Sequence, residues 1–122
     1  MPVIPPSVLE KFYVKGSLRI EDGGLAFDLK NLIAPATITS VAGLDLDGKE
    51  VESSRVTIVA PSGRAAPIGQ VSSGSPLSFP VGVVVTLRVS GETLQPGQHN
   101  LTVHLDVKEI GSLDIPVCDT IP

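Results

Sequence analysis

Tryptophan is absent from this 122-residue chain, tyrosine occurs once, phenylalanine three times and cysteine once. So few rings leave little surface on which nucleic-acid bases could stack. Nine Lys and Arg against 13 Asp and Glu, a net charge of -4, also argue against a phosphate backbone as partner, because such binding needs clustered positive charge. A lone Cys118 cannot close an internal disulfide or build a thiolate metal site. With no activating group beside it, it reads as a buried, inert thiol. No run of 18 apolar residues is present, which excludes a helical membrane span. Met1-Pro2-Val3-Ile4-Pro5-Pro6 has neither the basic nor the apolar region of a signal peptide, so a cytoplasmic location is expected. Charge is scarce as well, at 18 % against roughly 25 % in ordinary soluble domains. No segment keeps a helical period over ten residues.

What the chain does contain is 11 prolines, 12 glycines and many aliphatic side chains in period-2 order. Leu101, Val103, Leu105 and Val107 alternate with Asn100, Thr102, His104 and Asp106 after a Pro96-Gly97 turn, the mark of a strand buried on one face. Phe12, Val14, Leu18 and Ile20 alternate in the same way, with Gly16 as a bulge. Leu25, Phe27 and Leu29 follow across a hairpin at Glu21-Asp22-Gly23-Gly24. A strand from Thr37 to Leu46 turns at Asp47-Gly48, and Val56, Ile58 and Ala60 make another. Val81 to Val89 is apolar on both faces at Val83-Val84-Val85, as in a central or partner-covered strand. Pro116 places the last strand, from Leu113 to Val117, on an edge or at a bulge. The prediction is an all-β, immunoglobulin-like antiparallel sandwich of about seven or eight strands. Residues 1–7 form a proline-rich extended arm, 8–122 a single domain, and Pro61 to Pro80 a long loop. The predicted core is Phe12, Val14, Leu18, Phe27, Leu29, Val85, Leu87, Leu101, Val103 and Leu105.

Catalytic and metal chemistry find little support. His99 and His104 stand five apart in one strand and point to opposite faces, so they cannot chelate one metal. His104 reads as a half-exposed strand residue and His99 as a corner residue bonding the turn backbone. Asp45 and Asp47 share a strand face beside a turn, but Asp-x-Asp-Gly there is ordinary turn chemistry without a third acidic ligand at calcium spacing. Ser62, Ser72, Ser73 and Ser75 occupy the long loop without a sequence-marked base. No catalytic residue, cofactor or metal ligand is assigned.

Lys15-Gly16-Ser17-Leu18-Arg19, Gly24-Leu25-Ala26-Phe27-Asp28-Leu29, Leu44-Asp45-Leu46-Asp47-Gly48-Lys49-Glu50-Val51, Leu94-Gln95-Pro96-Gly97-Gln98-His99 and Asp119-Thr120 follow in an order that resembles the small beta subunits of bacterial C-glycoside deglycosidases. The resemblance implies a β-sandwich paired with a separate, metal-dependent barrel subunit that carries most of the catalytic residues. The expected function is therefore a non-catalytic accessory or assembly subunit of such a carbohydrate-active enzyme. A stand-alone carbohydrate- or protein-binding sandwich is the alternative, and the absence of tryptophan counts against sugar stacking. A small enzyme using His99 or His104 is the weakest reading. Low charge and the two-faced Val83–Val85 strand also predict a homo-oligomer, a dimer or a multiple of it. The residues expected to face a partner are Val84, Arg64, Ile68 and Phe79, with neither nucleic acid nor membrane as partner.

Overall fold

The computed structural model describes residues 5–21, 23–72, 74–92 and 94–121. Among them ten strands follow in chain order: β1 (Arg19–Glu21), β2 (Gly24–Lys30), β3 (Ala36–Leu46), β4 (Lys49–Val51), β5 (Val56–Val59), β6 (Ala65–Pro67), β7 (Leu77–Phe79), β8 (Val84–Ser90), β9 (Gly97–Val107) and β10 (Gly111–Ile121). One helical turn, α1 (Pro6–Leu9), precedes them. Four of the strands are only three residues long, too short for alternation to mark, so the count exceeds the expected seven or eight.

One sheet has the order β1-β2-β8-β5-β6, and the other β10-β9-β3-β4 with β7 added to β3. In immunoglobulin lettering β1-β2-β8-β5 is the A-B-E-D sheet, with β6 as an added edge, and β10-β9-β3-β4 the G-F-C-C′ sheet, with β7 as an addition; the two pack face to face with every strand pair antiparallel. The pleat sends alternate side chains to opposite faces, so Leu101, Val103, Leu105 and Val107 of β9 meet Leu25, Phe27 and Leu29 of β2 and Val85, Leu87 and Val89 of β8 in a single core. The predicted core is buried apart from Val14, which is half-buried. Asp47 (φ 49°) and Gly48 (φ 84°) both have positive φ and close the β3–β4 hairpin as a type I′ turn. Glu21 pairs with Gly24 as expected, although Asp22 lies outside the described residues. Any side chain at Gly24 would run into the carbonyl oxygen of Val89 on the paired strand. β10 pairs with β9 alone, so Pro116 does lie on an edge.

Three expectations need correction. The segment from Phe12 to Leu18 is not a strand. Glu10–Phe12 is a 3-10 turn, and Gly16 (φ 87°) sits in a second turn. The period is therefore broken, so the consecutive Phe12 and Tyr13 are both buried while Ile20, on the three-residue edge strand β1, stays 53 % exposed. The proline-rich arm is not extended where it is described: Pro6–Leu9 is helical, and residues 1–4 lie outside the described part. Pro61 to Pro80 is not a structureless loop. It contains β6, a 3-10 turn at Ile68–Gln70 and β7, because Ile68 and Phe79 each reach the core.

A polar latch ties the leading segment across both sheets. Tyr13 donates its hydroxyl hydrogen to Asp119 of β10 (2.6 Å) and accepts the amide of Leu18 (2.8 Å), while Gly16 donates to the same carboxylate (2.7 Å). On the other side Val14 donates to the carbonyl of Asp28 on β2 (3.0 Å). The Tyr13 hydroxyl, with the amides of Thr120 and Gly16, holds the Asp119 carboxyl below its ordinary value. Burial, and then the hydrogen bond to Asp119, push the Tyr13 phenol up. Tyr13→Phe leaves the buried Leu18 amide without its acceptor, and urea denaturation should register a loss of about 2 kcal/mol with an unchanged slope. Val103→Asp places a carboxylate at a fully buried site and costs several kcal/mol, roughly the whole stability of a domain of this size. Circular dichroism should find that variant unfolded.

Candidate interaction surface

Asn31 is the only buried polar or charged residue in the described core, 1 % exposed. It follows β2 directly and organises the end of the sandwich where β2 leaves and β8 enters. Its side-chain nitrogen donates to the carbonyls of Phe79 (2.6 Å) and Ala34 (2.7 Å), and its side-chain oxygen accepts the amide of Ile33 (3.0 Å). Its own amide donates to Val83 (3.2 Å), and its carbonyl accepts the amide of Gly82 (2.8 Å). Every polar atom of the residue is therefore satisfied, which is the condition for burying a carboxamide at low cost. Beneath it Phe79 packs on Phe12, with ring centroids 6.4 Å apart.

The result is a pair of pinned turns, Asn31–Pro35 and Pro80–Val83, in which Leu32, Ile33 and Val81 are exposed while Val83 packs against the core. Leu32 (52 %), Val81 (51 %), Ile33 (41 %) and Val84 (37 %) are four of the five exposed large apolar side chains among the described residues. No charged residue occurs from Ala65 to Leu87 or from Asn31 to Ile38, and Lys30, across from Val84, borders the surface. An apolar cluster on an immobilised frame is suited to association, since little conformational entropy remains to be lost on contact.

The residues expected to face a partner divide in two. Val84 is exposed and belongs to this surface. Arg64 is exposed farther along, at the mouth of a shallow cavity of about 150 Å³ bordered by Ala60, Gln70, Val71 and Leu77. Ile68 and Phe79 are corrected: both are buried in the chain's own core and present nothing to a partner. Leu32, Ile33 and Val81 were missed. The available signal was a turn, Asn31-Leu32-Ile33-Ala34-Pro35, that has two large aliphatics where turns ordinarily have polar residues.

The other singled-out residues stand apart from this surface. Asp45 and Asp47 do not act together, because each carboxylate takes a different histidine. Asp45 meets Nε2 of His104 (2.9 Å), and Asp47 meets Nδ1 of His99 (2.7 Å). The second nitrogen of His104 meets Asp114 (2.6 Å), and that of His99 meets the carbonyl of Gln95 (2.7 Å), a bond to the turn backbone of the kind expected. Cys118 is corrected from buried to exposed, with the Gln98 amide donating to its sulfur (3.0 Å). Ser72 and Ser75 bond each other's backbone in a turn, and Ser73 lies outside the described residues. No group of three or more His, Cys, Asp or Glu placed to hold a metal ion occurs among the described residues. No helix among them is long and apolar enough to cross a membrane.

Against known proteins, one family model matches, that of the hydroxymethylglutaryl-CoA reductase N-terminal domain, over residues 8–122. No curated protein matches the chain. The match overturns the resemblance to C-glycoside deglycosidase beta subunits, whose quoted motifs are hairpin and corner sequences that many sandwiches share. Since the match extends over nearly the whole chain, this protein belongs to the family of hydroxymethylglutaryl-CoA reductase N-terminal domains.

Proposed function

We propose that this chain is a non-catalytic accessory module that docks on a partner protein through the apolar end built around Asn31. The observation that carries the reading is the exposure of Leu32, Ile33 and Val81 on two turns held by one fully bonded asparagine, with exposed Val84 at the adjoining start of β8. The family is named for a domain N-terminal in hydroxymethylglutaryl-CoA reductase, so the partner of this reading is the remaining, catalytic part of such an enzyme. A second copy of the chain is the competing occupant, favoured by the exposure of Val84 beside the same turns. The exposed side chains here are aliphatic, which speaks for a protein surface over a sugar ring. A reducing compartment, the cytoplasm, completes the reading, given an exposed free thiol at Cys118.

Two predictions follow from this end of the molecule. The double variant Leu32→Asp/Val81→Asp should fold with an unchanged melting temperature and bind the reductase catalytic part at least about 30-fold more weakly, as removal of a docking hot spot does. Unchanged affinity in calorimetry sinks the docking reading. A wild-type chain that ignores the catalytic part but doubles its mass in light scattering, reversed by Val84→Lys, hands the surface to self-association instead. Asn31→Asp keeps the shape but turns an acceptor toward the carbonyls of Phe79 and Ala34. It should cost about 2–4 kcal/mol in denaturant unfolding and weaken docking together with stability.

A further inference from the structure

We infer that His99 and His104 serve as imidazolium clamps of the β10-β9-β3 sheet, so that the corner before β9 is pinned at acidic and neutral pH and released on the alkaline side.

The geometry leaves little choice of species. Both partners of His99, the Asp47 carboxylate and the Gln95 carbonyl, are acceptors, each 2.7 Å from a ring nitrogen. Both partners of His104, Asp114 at 2.6 Å and Asp45 at 2.9 Å, are carboxylates. A neutral imidazole has one N–H, so it satisfies one contact and turns a lone pair toward the other acceptor. The imidazolium satisfies both. Each ring bridges separate parts of the sheet. His99 of β9 joins the Asp47 hairpin tip to the corner at Gln95, and His104 joins Asp45 of β3 to Asp114 of β10.

The corner has a counterpart in immunoglobulin sandwiches. There a tyrosine near the start of strand F sends its hydroxyl back to the backbone a few residues upstream. His99 lies at the start of the equivalent strand and bonds back to Gln95. A phenol stays neutral to about pH 10, which makes a tyrosine latch indifferent to pH near neutrality, whereas an imidazole titrates there.

The surroundings are mainly acidic, with Lys15 and Lys49 as nearby cations. Asp119 of β10 stands across from His99 in the register and is engaged by Tyr13 and Gly16, with the charge of Lys15 acting on it. Asp106 is two positions beyond His104 on β9, bonded by Ser112, and Glu50 of β4 stands across from Asp45. The hydrogen bond to Asp114, then that to Asp45, raises His104 above its ordinary 6.5. The bonds to Asp47 and then Gln95 raise His99 above the same value. A histidine whose folded value is raised contributes its full stabilisation below 6.5 and loses it as pH climbs through the folded value. Asp47 and Asp119 are lowered from 3.8, Asp47 chiefly by the Asn100 amide and then His99, and give way only as pH falls through their folded values. Glu21 and Glu109 are lowered from 4.5 in the same way, so stability should form a plateau between 4.5 and 6.5 and decline on both sides.

Proton NMR titration of the two imidazoles tests this directly. Both midpoints are expected above 6.5, and Asp47→Asn and Asp114→Asn should return His99 and His104, respectively, toward that value. In hydrogen exchange, corrected for intrinsic base catalysis, the opening constant at the Asn100 amide should rise about tenfold per pH unit between 6.5 and the folded midpoint. His99→Gln should abolish that rise at the corner. Midpoints at or below 6.5, or a pH-dependent opening that persists in His99→Gln, would overturn the inference. Should His99→Gln fail to fold, the Asp47→Asn titration decides alone.

Discussion

All four aromatic side chains of the chain are committed to two pairs, and both pairs join the leading segment to the sandwich. Phe12 meets Phe79 and Tyr13 meets Phe27, each at 6.4 Å between ring centroids. The rest of the core is aliphatic, drawn mainly from β2, β3, β5, β8, β9 and β10, and a sheet interface of Val, Leu and Ile is thin at its margins. Aromatic side chains bury the largest areas available to a core. Placing all of them beside the non-strand residues 10–13 makes that segment the closure of the sandwich rather than an appendage to it.

Polar side chains finish what the aliphatics begin, one at each place where strands must leave the core. Asn31 holds two turns at one end, Asp119 receives the leading segment at the edge, and the histidines tie β9 to its neighbours and to the preceding corner. Each is nearly saturated with partners, and no buried side-chain polar atom among the described residues lacks one. In a low-dielectric setting such pins are strong when complete and costly when broken. This accounts for how an uncharged, aliphatic surface at Leu32 and Val81 is held out toward solvent instead of collapsing inward.

Much of the fold could be read from the chain because it is written locally. Alternation in β9, β2 and β8 reports the pleat, and Asp47-Gly48 reports a turn that few residue pairs tolerate. The rest depends on partners distant in sequence. Nothing near Tyr13 shows that it turns inward, since its acceptor is Asp119. Ile68 and Phe79 sit in a Gly/Ser/Pro-rich stretch whose composition resembles a loop, and only the core they enter orders them. Of the candidate surface only Val84 was legible, through its apolar run, but not Leu32, Ile33 and Val81, whose outward placement depends on the bonds of Asn31. The family resemblance failed for a related reason, because turn and strand sequences describe a sandwich without saying which one.

The latch between Tyr13 and Asp119 joins residues 106 positions apart. A ribosome delivers the first of them long before the second, so Tyr13 can meet the Phe27 ring while its hydroxyl still lacks the acceptor that β10 brings. Contacts of such separation slow folding and leave apolar surface uncovered meanwhile. The bond between Tyr13 and Asp119 is thus among the contacts of the sandwich that cannot form before β10 has joined it.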